Sequence, residues 1–377
     1  MHTWFRVFSA TVATAALLGS SVVVASAQEL RDDDAGQAVF VQGNDPAGNQ
    51  VLAYHRDRSG ALTLAARYPT GGNGGRIQGS AVDPLASQNS LIFDSAHHLL
   101  IGVNAGSDSI YAFELEDGGR LGERQVLGSD GSFPVSVAVN DDLVYVLNAG
   151  GAGSVHGYRI EGGHLRSIDG STRSLGLTPV TGPTAFLNSP GQVGFTPDGR
   201  QLIVTTKANG NHIDVFNVRD DGRLSDTPVV NPSATPVPFA FTFDGQRRLV
   251  VGEAAASSVS TYQVHADGTL TTIGSQPDSQ AALCWIDRDG QTFFAANAGS
   301  GSVSAFRLDA SGHPILVGTT PVGPGAIDLH HARGGQFLYV LLGGNHTVGE
   351  FRVNADGSLT SVGNIAGSVT EEGIVAL

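Results

Sequence analysis

Short runs of apolar residues alternate along the chain with corners rich in Gly, Asn and Asp. Leu99 to Phe113 shows the unit: Leu99-Leu100-Ile101-Gly102-Val103, a corner Asn104-Ala105-Gly106, then an alternating restart through Ile110-Tyr111-Ala112-Phe113. Phe293 to Phe306 repeats it around Asn297-Ala298-Gly299, and Leu143 to Tyr158 around Asn148-Ala149-Gly150. Looser copies run over Leu202–Phe216, Leu249–Tyr262, Phe337–Phe351 and Val39–Tyr54. An apolar run of this length that turns and restarts predicts two antiparallel strands. Asp-Gly turns follow, at Asp117-Gly118, Asp221-Gly222, Asp267-Gly268 and Asp356-Gly357, each leading into a further strand. They lack the spaced oxygen ligands of a calcium loop.

One more short strand precedes each copy, at Ser90–Asp94, Val135–Val139, Gln192–Thr196, Phe239–Phe243, Ala281–Ile286 and Ala326–Leu329. The copy opened by Val39 has none, whereas Gly373–Leu377 is left over at the other end of the chain. Joined, the two complete one blade and shut a ring, which removes the open edges of the array. The corner positions Asn104, Asn148, Lys207, Glu253, Asn297 and Leu342 recur 44 to 59 residues apart, a spacing that suits four strands per repeat. The expected fold is therefore all-β: a seven-bladed β-propeller of four-stranded antiparallel blades, closed by the C-terminal strand, spanning residues 28–377 as one domain.

Residues 1–27 predict a cleaved signal peptide. Arg6 is followed by an apolar or small stretch from Val7 to Ala25, and Ala25-Ser26-Ala27 forms a small-residue cleavage site. The expectation is a secreted, periplasmic or cell-envelope protein with no membrane span after cleavage. Cys284 is the single cysteine, so no disulfide forms within the chain, and beside Trp285 it reads as a buried small hydrophobe. Charged residues are only 15% of the chain and the net charge is −14, which disfavours a nucleic-acid partner. A propeller of this size completes its own core, so a monomer is expected.

In a propeller the second-to-third-strand corners share one face with the turns entering the inner strands. The long connections 77–89, 171–191 and 227–237 are expected on that face, at the channel mouth, the default place for a ligand. Two neighbouring corners carry Lys207 and Glu253, which suit an electrophile and a base or, equally, a structural ion pair. Gln192, Asn104, Asn148, Asn297 and Phe186 are the candidate substrate contacts, although Asn also suits the turn geometry itself. The pairs His97-His98 and His330-His331 fall near the opposite face. Neighbouring side chains on a strand point to opposite sides, so each pair is expected to offer one ligand at most, and neither a metal nor a cofactor is expected. Asn345-His346-Thr347 matches a glycosylation sequon. The Gly-rich stretch Gly71-Gly72-Asn73-Gly74-Gly75 precedes no predicted helix, so no phosphate cradle is expected.

The repeated strand–Asn-Ala-Gly–strand unit, together with Phe195-Thr196-Pro197-Asp198-Gly199-Arg200-Gln201-Leu202-Ile203-Val204, resembles the lactonase family of seven-bladed propellers, which includes 6-phosphogluconolactonases and carboxymuconate cycloisomerases. The resemblance implies a lactonase acting on a small polar lactone or sugar-acid lactone at the channel mouth. It also implies a Glu that falls on Glu253, an Arg-His pair that would fall on Val237 and Pro238, a His at or near Gly191, and an Asp where this chain has Lys207. Only the Glu is retained. Lactone opening charges the carbonyl oxygen, so a donor must replace the missing cation, and Lys207 is the candidate. The alternative is a non-catalytic extracellular propeller that binds a glycan, metabolite or protein on the same face.

Overall fold

The computed structural model describes residues 37–377, so the predicted signal peptide lies outside the described residues. Seven antiparallel sheets follow one another around a ring. The first blade is assembled from both ends of the described chain: Ile374–Ala376 innermost, then Ala38–Gln42, Gln50–Arg56 and Leu62–Pro69. Its closure register pairs Val39 with Ala376, Phe40 with Val375 and Val41 with Ile374. The inner strands of the other six blades are Leu91–Asp94, Pro134–Asn140, Val193–Phe195, Pro238–Phe243, Leu283–Asp289 and Ala326–His331. Blade three carries a short extra strand, Arg173–Ser174, beside its third.

Burial explains why the apolar runs are continuous in some strands and alternating in others. Second strands such as Leu99–Asn104 and Phe337–Leu342 are buried at every residue, because neighbouring blades cover both faces. Outer strands such as Leu62–Pro69 alternate between covered and exposed positions along most of their length. The Asp-Gly turns take the predicted form, with positive φ at Gly118, Gly222, Gly268 and Gly357. A bulge recurs between third and outer strands next to the repeat's aromatic, as at Tyr54, Tyr262, Phe306 and Phe351. Bulges there increase the twist of the exposed edge and discourage edge-to-edge pairing.

One sequence expectation changes. Residues 227–237 are not a long open connection, since Val229–Pro232 within them is the outer strand of blade four. The stretch 171–191 does remain long, and holds one α-helical turn, Ala185–Asn188. No helix among the described residues is long and apolar enough to cross a membrane.

Candidate active site at the capped channel mouth

The connection 77–89 leaves the surface in its second half, where residues 83–88 are all buried. It dips into the central channel and crosses it, with Leu85, Ala86 and Ser87 almost fully buried. Ser87 Oγ donates to Val135 O at 2.7 Å, while Ser87 O accepts from Trp285 Nε1 at 2.9 Å. The Gln88 amide clasps the Ile286 backbone in both directions, at 2.8 and 2.9 Å, and Gln88 N donates to Gly191 O at 3.1 Å. Leu85 N reaches Glu372 Oε2 at 3.2 Å. The plug is thus bonded to blades three and six and to the segments leading into the inner strands of blades four and one. These bonds meet several of the backbone groups that burial takes from water. Ala86 and Asn89 adopt positive φ (52° and 63°), a cost that the surrounding bonds hold in place.

Above the plug lies a cavity of about 330 Å³. Its walls are mostly carbon: Val82, Phe186, Leu187, Val237, Phe239 and Trp285, with alanines from the plug and from blades five and six. The ionic groups in its lining are Lys207 and Asp83. Lys207 is 1% exposed, and its ammonium donates to Ala86 O and Phe186 O, both at 2.6 Å, and to Ser189 Oγ at 2.9 Å. The Phe239 ring lies 5.0 Å from the nitrogen. Burial lowers the Lys207 pKa to about 8, against the opposing pull of Asp83, Cys284 and Glu372. The buried Asp83 and Glu372 carboxyls perturb each other, and Asp83 Oδ2 and Glu372 Oε1 are both buried without a hydrogen-bond donor. Asp83 Oδ1 accepts from Ala86 N at 2.6 Å. Burial raises both acids, Glu372 furthest because the Asp83 charge adds to the effect. Two carboxyls in one buried site oppose each other's ionisation, which favours a single negative charge on the pair.

Of the sequence-predicted residues, Lys207 reaches this cavity and Glu253 does not line it. A one-residue difference separates them. In the second-to-third-strand ladders Asn104 pairs with Ser109, Asn148 with Ser154, Glu253 with Ser258 and Asn297 with Ser302. In blade four the equivalent pairing is Thr206 with His212, so Lys207 is the first corner residue and corresponds to Ala254 and Ala298. A one-residue shift exchanges the two faces of a strand. Lys207 therefore joins Ala254 and Ala298 in the cavity wall, while Glu253 is buried in its own blade. There Glu253 accepts from Tyr262 Oη at 2.5 Å, Ser260 Oγ at 2.5 Å and Thr235 Oγ1 at 2.6 Å, with Ser258 Oγ at 3.4 Å.

Asn104, Asn148 and Asn297 are fully buried and bond to nearby blade residues: Asn104 to Asn49 and Thr70, Asn148 to Ser129 and Ser154, Asn297 to Ser302 and Ser304. Gln192 lies below the plug, clasping Phe241 through both amide atoms at 2.7 and 3.1 Å. Phe186 lines the mouth cavity. Cys284 is buried in its wall, and burial pushes the thiol up, which leaves it inert as a nucleophile. Val237, where the family resemblance would place an Arg, contributes carbon surface.

Asp83, Glu372 and Trp285 had no motif to announce them. The length of the connection 77–89 was the available signal, and its burial follows from three-dimensional closure alone. The expectation that adjacent histidines diverge also fails at His330-His331. Their rings stack at 5.5 Å and 9°, and their ligand atoms lie with one from Asp287 within 4.8 Å of one another. These are the last two residues of the blade-seven inner strand, beyond its bulge between Ile327 and Leu329.

The family model described as "Lactonase, 7-bladed beta-propeller" matches residues 201–324, and the lactonase-type resemblance of the sequence is borne out. The chain also superposes on a periplasmic gluconolactonase from Pseudomonas aeruginosa with a TM-score of 0.69 at 15% identity, covering 90% of this chain and 98% of the other. A protein from Lactobacillus plantarum gives 0.69 at 18% identity with the same coverages. A Bacteroides fragilis protein described as a candidate 6-phosphogluconolactonase gives 0.66 at 16%, again over 90% and 98%. These likenesses bear on the fold. No curated protein matches the chain in sequence.

Proposed function

We propose that this lactonase-type propeller hydrolyses a compact lactone with an apolar body, bound in the mouth cavity. The observation that carries the reading is the pairing of carbon walls with one buried ammonium and a buried acid, Asp83, which Glu372 perturbs. A cavity of about 330 Å³ lies at the small end of ligand sites, and a polyhydroxylated sugar would find few partners in it. In the reaction, water oxygen adds to the lactone carbonyl carbon while the singly protonated Asp83–Glu372 pair accepts the departing water proton. The Lys207 ammonium exchanges one of its present acceptors for the developing oxyanion. Collapse breaks the ring carbon–oxygen bond, and the pair returns its proton to the leaving alkoxide, giving the hydroxy acid.

The test is a panel of alkyl-substituted and polyhydroxylated lactones followed by pH-stat, with Lys207→Met and Asp83→Asn alongside. Alkyl lactones should turn over fastest, and each variant should lose roughly 10²- to 10³-fold in kcat. Preference for sugar lactones, or unchanged turnover in both folded variants, overturns the assignment.

One observation favours a second reading, that of a binder without turnover: all three Lys207 protons are already donated within the protein. Calorimetric binding of the alkyl lactones with no acid release above buffer selects that reading.

A further inference from the structure

At the other end of the channel the geometry points to a metal site: we propose that Asp287, His330 and His331 together bind a divalent first-row transition metal of the zinc or cobalt type. The three residues come from the inner strands of adjacent blades, Leu283–Asp289 and Ala326–His331. One carboxylate oxygen and two imidazole nitrogens lie within 4.8 Å of one another. His331 Nδ1 is 2.6 Å from Asp287 Oδ2. Two ligands on one tetrahedral metal, each bonded at about 2.1 Å, lie about 3.4 Å apart, so a metal that replaces the bridging proton parts these two atoms by a little under about 1 Å. The His330 nitrogen already lies within 4.8 Å of the other two ligand atoms, so a modest side-chain movement brings it into the set.

The surroundings hold these groups ready. Arg288 N donates to Asp287 Oδ1 at 2.7 Å and His331 N to Oδ2 at 2.8 Å, which fixes the carboxylate plane. His330 Nδ1 lies 2.8 Å from His331 O, the tautomer that leaves Nε2 with its lone pair; the Ala376 amide is the longer contact at 3.3 Å. Two imidazoles and one carboxylate favour zinc, cobalt, nickel or copper over calcium and magnesium. Asp287 and His330 also line a cavity of about 210 Å³ below the plug, so a bound metal keeps open positions toward the channel. Three protein ligands with open positions is the pattern of a reactive centre rather than a closed structural one.

Untagged protein stripped with chelator should take up one equivalent of Zn²⁺ by calorimetry, and one of Co²⁺ with visible d–d absorption. Asp287→Asn, His330→Ala and His331→Ala should each weaken uptake by at least about tenfold. His97→Ala should leave it unchanged: His97 sits on another blade between Asp94 and Asp142 at 2.6 and 3.1 Å. Absence of uptake by the wild type overturns the proposal, as does uptake of equal affinity in the near-isosteric, folded Asp287→Asn variant. Neither result bears on the mouth cavity, whose lining shares no residue with this cluster.

Discussion

Glu253 separates two accounts of this protein, because sequence resemblance makes it the base while the structure surrounds it with hydroxyls. Its carboxylate is fully buried and accepts from Tyr262, Ser260 and Thr235 at 2.5–2.6 Å. Tyr262 Oη in turn accepts from Ala234 N at 2.7 Å, which ties the approach to blade five onto its third strand. Each hydrogen bond to a charged group contributes roughly 1.5–3 kcal/mol, offset in part by the desolvation of the carboxylate. Glu253→Ala leaves the donors without their acceptor and should cost about 3–5 kcal/mol. Glu253→Gln keeps one oxygen and presents an amide to hydroxyls that can rotate to accept, so the cost falls to about 1–2 kcal/mol. Urea unfolding followed through the buried Trp285 measures both values. Turnover of the folded Glu253→Gln protein should stay within about twofold of wild type, the signature of a residue remote from the reacting atoms. A Gln variant of wild-type stability that loses about 100-fold in kcat would refute the argument and restore Glu253 to the mechanism.

Other outcomes follow from buried groups and from ring closure. Burial raises Asp214, which is 2% exposed, to about pH 7 from an ordinary value near 4. The folded state then holds a proton that the unfolded state has released, so stability falls as pH rises from about 4 to 7, by about 4 kcal/mol. Asp214→Asn should match wild type at pH 4 and exceed it at pH 8 in urea titrations; equal differences at both pH values would contradict the shift. Deleting Gly373–Leu377 exposes the partners of Ile374, Val375, Ala376 and Leu377, all buried, and should cost about 5–8 kcal/mol, comparable to a whole domain's stability. Circular dichroism and a soluble yield equal to those of the full chain would refute the closure argument.

The sequence made the ring legible because each blade states its own strand pattern. Val39 without an inner partner and Ile374 without a blade of its own were enough to predict where the circle shuts, and Val41 pairs with Ile374. The Asp-Gly turns were legible for a local reason, since Gly222 and Gly268 need positive φ whatever surrounds them. The site was harder to read. Lys207 aligned with Glu253 by count from the preceding strands, yet blade four ends its second strand at Thr205 while the blade-five ladder reaches Glu253 itself. Which of two neighbouring residues ends a ladder is decided by corner length and by contacts with the next blade. Lys207 N donates to Pro238 O at 3.2 Å, whereas Ala254 N donates to Val237 O of its own blade. Asp83 and Glu372 lie nearly 290 positions apart, and no local pattern marks two acids that meet only when the ring closes.

The plug gives those acids their meaning. A propeller channel with the plug displaced would admit water along its length, and Glu372 there would titrate nearer its ordinary range. The clasp of Gln88 on Ile286 and the bond from Trp285 to Ser87 place protein in that space and leave cavities above and below. Lys207 supplies the counter-charge above, and its bonds to Ala86 O and Phe186 O hold the plug against the helical turn at 185–188. An isolated buried ammonium costs several kcal/mol of desolvation, which these acceptors and the Asp83 charge offset. The fixed polar groups of the mouth cavity and the element that dries it are therefore one assembly. Loosening the plug should return the Lys207 pKa from about 8 toward the ordinary lysine range together with any loss of turnover. Trp285→Phe removes the indole bond to Ser87 and keeps an aromatic ring beside Phe239, 5.0 Å away. Selective labelling of the lysine followed across pH 7–11 would measure the coupling: a Lys207 midpoint that does not move while turnover falls would separate the plug from the charge it is argued to shelter.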